Sequence, residues 1–278
     1  MSSKTELLLQ QRNWAESFGL KPDTRGYLSD VASNLLRPIN SKTKSAFESG
    51  SGSELQDTPS RPAKMKALHS SSALAVNVFD NWVSQNKSAL QRALLIDKEI
   101  LSISFEEQFP TGLTGNPPNL DVALELSDGF IIGIESKFSE WLTPKPVSKE
   151  PFKSKYFPVG TGMWAGRGLP ASQELANLMN SGVKQFRYLD APQLLKHALG
   201  LATQLGDQFS LYYTYLDWPG KESDVHREEV IQFAGFVGAE LGFKAITYQQ
   251  IFLSLQNEQG VDSDYLDYLG ERYCSNAD

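Results

Sequence analysis

Polar and apolar residues change their rhythm along the chain, and the changes mark out its elements. Leu7, Leu8, Trp14 and Phe18, then Val31, Leu35 and Leu36, make short amphipathic helical patterns within residues 4–36. Residues 37–72 are rich in Ser, Pro, Gly and Lys, which predicts a long loop or linker. Ala75, Val78, Phe79, Trp82 and Val83 follow the i, i+3, i+4, i+7, i+8 spacing of one helix face. Ser88 and Gln91 form a capping-box pattern ahead of a further helical turn. At Ile103 the period drops to two. Ile103, Phe105, Glu107 and Phe109 alternate with polar neighbours, as do Leu120, Val122, Leu124 and Leu126. Ser127-Asp128-Gly129 is a hairpin turn, and 130–138 a third strand.

The second half reads as helices alternating with strands. Helices are predicted over 171–180 and 190–206. In the second of these Asp190 is the N-cap, Pro192 lies in the first turn, and Leu194, Ala198, Leu201, Ala202 and Leu205 form the apolar face. Strands follow at 209–216 and 243–247, with helices at 225–241 and 248–255. The order predicts a mixed α/β domain.

Three charges break the apolar pattern of the second and third strands: Asp121, Glu135 and Lys137. Alternation puts Glu135 and Lys137 on one face, roughly 7 Å apart at about 3.3 Å per residue. Gly133 beside them leaves room for a ligand to approach. A hairpin turning at Asp128-Gly129 sets Asp121 nearly opposite Ser136, between the other two. Two carboxylates so placed make a hard oxygen site suited to Mg²⁺, with open positions for water and phosphate oxygens. Such an ion acidifies bound water and polarises a phosphodiester, while the lysine orients the water or offsets charge on the phosphate. The alternative is an inert cross-strand ion-pair cluster. The flanking apolar run FIIGI favours burial, where unpaired charge is costly.

Leu120-Asp121 followed by Glu135-Ser136-Lys137 resembles the PD-(D/E)xK nuclease signature. The resemblance covers roughly residues 72–256, with Leu120 standing where that signature has proline. It implies a restriction-endonuclease-like core, a mixed central sheet of 4–5 strands flanked by helices. Residues 71–278 would form the nuclease-like domain, and 1–70 a helical extension with a polar linker. By this resemblance Asp121, Glu135 and the Ser136 carbonyl hold Mg²⁺, with Mn²⁺ as substitute, and Lys137 is the catalytic lysine. Glu107, a charge on an apolar strand face, is a candidate additional metal ligand. Gln193 and His197, four apart on the helix after the motif, are candidates to flank the site; Gln193 also completes a capping box with Asp190. The substrate is expected to be DNA, cut by an endonuclease. The resemblance leaves room for a homodimer. An RNA nuclease, or a non-catalytic nucleic-acid or protein-binding module, are the alternatives.

Composition narrows this further. One cysteine, Cys274, and three histidines without ligand spacing argue against a zinc site or disulfide. A reducing, cytoplasmic setting is expected. No stretch of 18 apolar residues predicts a membrane span, and no G-x-x-x-x-G-K-[ST] predicts a nucleotide cofactor. The net charge is −7, yet residues 217–278 alone carry 12 acids and 4 bases. The rest therefore sums to about +1, and Lys145, Lys149, Lys153, Lys155 and Arg167 cluster in 141–168 against Glu150 alone. That segment and RPAKMK at 61–66 are candidate backbone-contacting surfaces. Its Trp141 and Trp164 are core anchors, or candidates for stacking on bases.

Overall fold

The alternating segments do form one sheet. The computed structural model describes residues 2–50, 53–146, 151–158, 160 and 162–274. Among them, β1 (Ile100–Gln108), β2 (Asn119–Leu126), β3 (Ile131–Lys137), β4 (Phe209–Tyr215) and β5 (Lys244–Thr247) lie in the order β1-β2-β3-β4-β5. The first three are antiparallel neighbours; β4 pairs parallel to β3, and β5 parallel to β4. The helices are α1 (Ser3–Ser17), α2 (Ser41–Ser49), α3 (Ser71–Phe79), α4 (Ser88–Ala93), α5 (Pro170–Asn180), α6 (Ala191–Leu205), α7 (Lys221–Leu241), α8 (Tyr248–Gln256) and α9 (Ser263–Leu269). Helices α5 and α6 carry the chain from β3 to β4, and α7 carries it on to β5, as parallel pairing requires. This is the expected mixed sheet flanked by helices.

Local chemistry moved several boundaries. Helix α3 begins at Ser71 because the Ser70 hydroxyl accepts the Ala73 N–H. No side chain caps α4, whose N-cap position falls on Lys87, so the Ser88–Gln91 capping box does not form. The segment expected to be loop contains α2. Asn40 caps it, and Phe47 packs against Phe105 with ring centroids 5.9 Å apart. Conversely, 31–36 holds one 3₁₀ turn, Ala32–Asn34. Helix α9 and the π-turn Gly270–Cys274 lie in an acid-rich stretch with no helical expectation; Asp262 caps α9, and Tyr265 and Leu269 are buried.

The first 70 residues share the sheet's core. Leu7, Phe47 and Met65 belong to the same buried cluster as Val122 and Ile134. Arg272 ties this region to the C-terminus. It is fully buried, and its guanidinium donates to the Asn34 carbonyl (2.9 Å), Gln11 Oε1 (3.3 Å) and the Leu68 carbonyl (3.3 Å). It also lies over the rings of Trp14 (4.2 Å) and Tyr273 (4.8 Å).

Trp141 and Trp164 are core anchors. Both are buried, their indole N–H groups donating to the Leu216 and Leu195 carbonyls. Neither ring is free to stack on a base. Trp141 stacks instead on His226 at 4.4 Å, and His226 Nε2 lies 2.9 Å from the Tyr213 hydroxyl. Burial, then the Arg227 charge, depresses the His226 imidazole to about 3. The unfolded imidazole titrates near 6.5. Its neutral burial therefore adds stability above about pH 6.5 that is lost as pH falls toward 3. Each pH unit within that window costs up to about 1.4 kcal/mol. Melting curves from pH 7 to pH 4 should show a shallower decline in His226→Phe than in wild type. An equally steep decline in both would show that His226 stays unlinked to acid unfolding.

Candidate active site

The register of the β2–β3 hairpin decides what the motif residues can do. The expected two-residue turn would have set Asp121 against Ser136. The turn instead has three residues: Leu126 and Phe130 pair (Leu126 N–H to Phe130 carbonyl, 2.9 Å), and Gly129 adopts φ +82°. Val122 therefore faces Ile134, and Ala123 faces Gly133, one position from the expected register. A one-residue slip exchanges the two faces of a strand, and this register continued without a break would set Asp121 opposite Glu135 instead of Ser136. The ladder stops at Val122 and Ile134. Beyond it the Asp121 carboxylate accepts the Ser136 N–H at 2.7 Å. The Ser136 hydroxyl is 2.6 Å from the Tyr248 hydroxyl of α8.

Glu135 is 1% exposed and holds the centre of the cluster. Lys137 Nζ bonds to its Oε1, and His197 Nε2 lies 2.9 Å from its Oε2. The His197 contact has ion-pair distance without hydrogen-bond alignment, and neither of those two atoms has another partner among the described residues. Burial pushes the Glu135 carboxyl up, but the Lys137 ammonium and then His197 outweigh it and hold it at about 2. Burial opposes the charge on Lys137, and Glu135, then Asp121, more than restore it, so the ammonium is held above its ordinary value. A lysine so held keeps its proton, which makes it a donor and a positive charge rather than a base. Asp121 goes the other way: burial first, then Glu135, raises its carboxyl well above the usual range.

A cleft of about 550 Å³ opens beside this cluster, with Asp121, Gln193, Glu140 and Glu106 in its wall. Gln193 thus reaches the cleft from the first turn of α6, while Asp190 Oδ1 caps its N–H at 3.1 Å. His197, one turn on, is buried against Glu135 instead of lying at the surface. Glu107 does not join them. It is exposed and pairs with Leu120, while Glu106 lines the cleft. Glu106 has φ +52°, so the backbone departs from regular strand geometry there and alternation fails as a guide. Asn119 donates to Glu106 at 2.6 Å, yet burial raises the Glu106 carboxyl. Gly133 offers no access either. A Cβ there would meet Leu120 at 2.6 Å and Leu201 at 3.1 Å, so two leucines already fill the space.

Of the cleft's other wall, sequence reasoning found only Lys64, in the basic run 61–66. Tyr27, Glu54, Lys64 and His69 come from the first 70 residues, with Lys64 Nζ 2.6 Å from Glu54 Oε1. Glu140 was missed too; it sits three residues past Lys137 and accepts the Phe138 N–H at 2.8 Å. A carboxylate three residues beyond the motif was the local signal for Glu140; Tyr27, Glu54 and His69 carried none.

The donor chemistry suits a hard divalent cation. The cleft is rich in carboxylate oxygen, and Asp121 lines it with a carboxyl that a cation would relieve. The arrangement is not an assembled cage. Glu135 is turned to Lys137 and His197, and no three His, Cys, Asp or Glu side chains converge to ligate an ion among the described residues.

A mixed sheet whose hairpin sets an aspartate beside Glu-x-Lys, at a polar cleft, defines a restriction-endonuclease-like α/β protein. The chain belongs to the family described as Restriction Endonuclease associating with ARP, whose model matches residues 9–274. That match runs across both the expected N-terminal extension and the motif. No curated protein and no solved structure matches the chain. Among the described residues no helix is long and apolar enough to cross a membrane.

Proposed function

We propose that the protein is a Mg²⁺-dependent endonuclease that hydrolyses phosphodiester bonds in DNA. The observation that carries this reading is the convergence of Asp121 and Lys137 around the buried Glu135 and its neighbour Ser136, bordering an oxygen-rich cleft. Asp121, Glu135 and the Ser136 carbonyl would hold the ion, with Mn²⁺ as substitute. When bound, the ion supplies a more acidic water and a polarised phosphate. The remaining work belongs to the chain. His197 steadies Glu135 from behind. Lys137 keeps its proton, orients the attacking water and offsets charge growing on the phosphate. Gln193, on the cleft wall, hydrogen-bonds a phosphate oxygen and positions the scissile group.

The test is cleavage of supercoiled plasmid, linear duplex, single-stranded DNA and RNA with Mg²⁺, Mn²⁺ or EDTA, beside Asp121→Asn. Metal-dependent cutting by wild type alone is expected. Thermal melting gives a second readout. The raised Asp121 carboxyl makes its charged form a cost at neutral pH, lost on protonation. Asp121→Asn should therefore melt higher than metal-free wild type, by about 2–4 °C for each kcal/mol of relief. Mg²⁺ should stabilise wild type and leave the variant unmoved. Cleavage of RNA alone would transfer the chemistry to that substrate. No cleavage, with no metal-dependent melting shift, would reduce the cluster to a structural ion network.

A further inference from the structure

The geometry points to a track for a phosphodiester backbone that leaves the cleft along α6 and the loop 110–118. Residues Pro117 and Pro118 of that loop line the cleft beside Asp121, and Gln193 faces it from α6. Away from the cleft, α6 contributes Lys196, and the segment 151–168 lays Lys155 and Arg167 against the loop. Lys196 lies one turn beyond Gln193, with Nζ 5.7 Å from the Phe152 ring centroid. Lys155 donates to the Thr114 carbonyl, and a Cβ on Gly115 would sit 3.7 Å from its Nζ. Farther along, a Cβ on Gly112 would lie 3.7 Å from Arg167 Nη2 and 4.0 Å from Thr203 of α6. Lys153 completes the ridge. It stands two residues before Lys155, and its carbonyl accepts the Tyr156 N–H at 3.0 Å.

Two features separate this ridge from ordinary solvated lysines. Among the described residues, Lys153, Lys155, Arg167 and Lys196 form no ion pair with a carboxylate, although the whole chain carries a net charge of −7. Their backbone is also firmly placed: Phe152, Tyr156 and Trp164 pack together beneath them, and Trp164 is tied to α6 through Leu195. Lys149 and Glu150 of the same basic stretch lie outside the described residues. An array of unpaired cations on a rigid support, starting at the edge of an acidic cleft, matches a strand whose scissile phosphate sits in the cleft and whose neighbouring phosphates run outward. Aromatic rings support this ridge from below and do not stack on bases, so the contacts read charge rather than sequence.

The inference rests on the nuclease reading for its substrate, but binding tests it without cleavage. Full-length protein in EDTA would be titrated with fluorescein-labelled 30-mers of duplex DNA, single-stranded DNA and RNA over a range of NaCl. The Lys153→Gln/Lys155→Gln/Lys196→Gln variant would be compared with a charge-matched control, Lys21→Gln/Lys42→Gln/Lys221→Gln. The ridge variant should bind at least about tenfold more weakly. Its slope of log K against log salt should be shallower by about 2–3, near 0.9 per lost phosphate contact. The control should bind as wild type. Lys196 is half-buried, so Lys153→Gln/Lys155→Gln alone should give an intermediate loss with an unchanged melting temperature. The arm with the largest difference identifies which nucleic acid the ridge holds. Equal binding by the ridge and control variants, or no binding by wild type to any arm, overturns the track. Binding through the ridge without metal-dependent cleavage would retain the track and overturn the nuclease reading; cleavage unaffected by the ridge variant would do the reverse.

Discussion

Lys137→Ala should lose metal-dependent cleavage by at least about 10²-fold and also unfold more easily, for one reason. Its ammonium is what keeps Glu135 ionised at 1% exposure. Removing one partner of a buried pair leaves an uncompensated charge, at a cost of about 3–5 kcal/mol. The pH dependence identifies this cause. In wild type Glu135 is held at about 2, so its pairing adds stability above the ordinary carboxylate range that is lost as pH falls toward 2. In the variant burial dominates and the Glu135 carboxyl moves up. The deficit should then be largest at neutral pH and shrink as the medium becomes acidic enough to protonate it. Lys137→Arg separates structure from chemistry: it should recover most of the melting temperature and little of the cleavage, because a guanidinium has a different reach and fork. Melting and plasmid cleavage of the three proteins decide it. Full activity in Lys137→Ala would remove the lysine from the mechanism.

Arg272→Ala should be comparably destabilising while lying outside the cleft. The guanidinium has no carboxylate partner among the described residues; carbonyls, two side-chain amides, a phenol and aromatic rings satisfy it. Truncation strips the guanidinium donor from Asn34 Oδ1, Gln11 Oε1 and the Leu68 carbonyl and empties space between Trp14 and Tyr273. At about 1–3 kcal/mol for an unsatisfied buried polar group, a loss of at least about 3 kcal/mol is expected. Arg272→Lys should rescue little, since an ammonium cannot reproduce the planar fork. Because these contacts hold 11–68 against the C-terminus, and Tyr27, Glu54 and Lys64 line the cleft, activity should fail with temperature before the sheet melts. Cleavage and circular dichroism measured along one temperature ramp test this. A melting temperature within 2 °C of wild type, a shift of about 1 kcal/mol or less, would show the contacts to be dispensable.

What the chain's pattern determined by itself was local. Period-two alternation located β1 and β2, the Asp128-Gly129 turn placed β3 after them, aromatic and aliphatic richness marked β4, and Asp190 with Pro192 placed the start of α6, because pleat, turn and cap depend on neighbours in sequence. The motif was equally legible: Asp121, Glu135 and Lys137 stand out as charges in apolar strands whatever the register. Three things belonged to the tertiary structure. The three-residue turn at Gly129 chose the register of the hairpin, one position from that of a two-residue turn, and a slip of one exchanges faces. The left-handed Glu106 exchanged the roles of Glu106 and Glu107, because alternation holds only while the backbone stays extended. And the cleft's second wall came from residues 27–69, of which 37 onward read as loop or linker from its polar composition; only contacts distant in sequence, through Phe47, Met65 and Arg272, fold that segment against the sheet. Local pattern is short-ranged physics, whereas a cleft forms where segments far apart in the chain bury one another's surface.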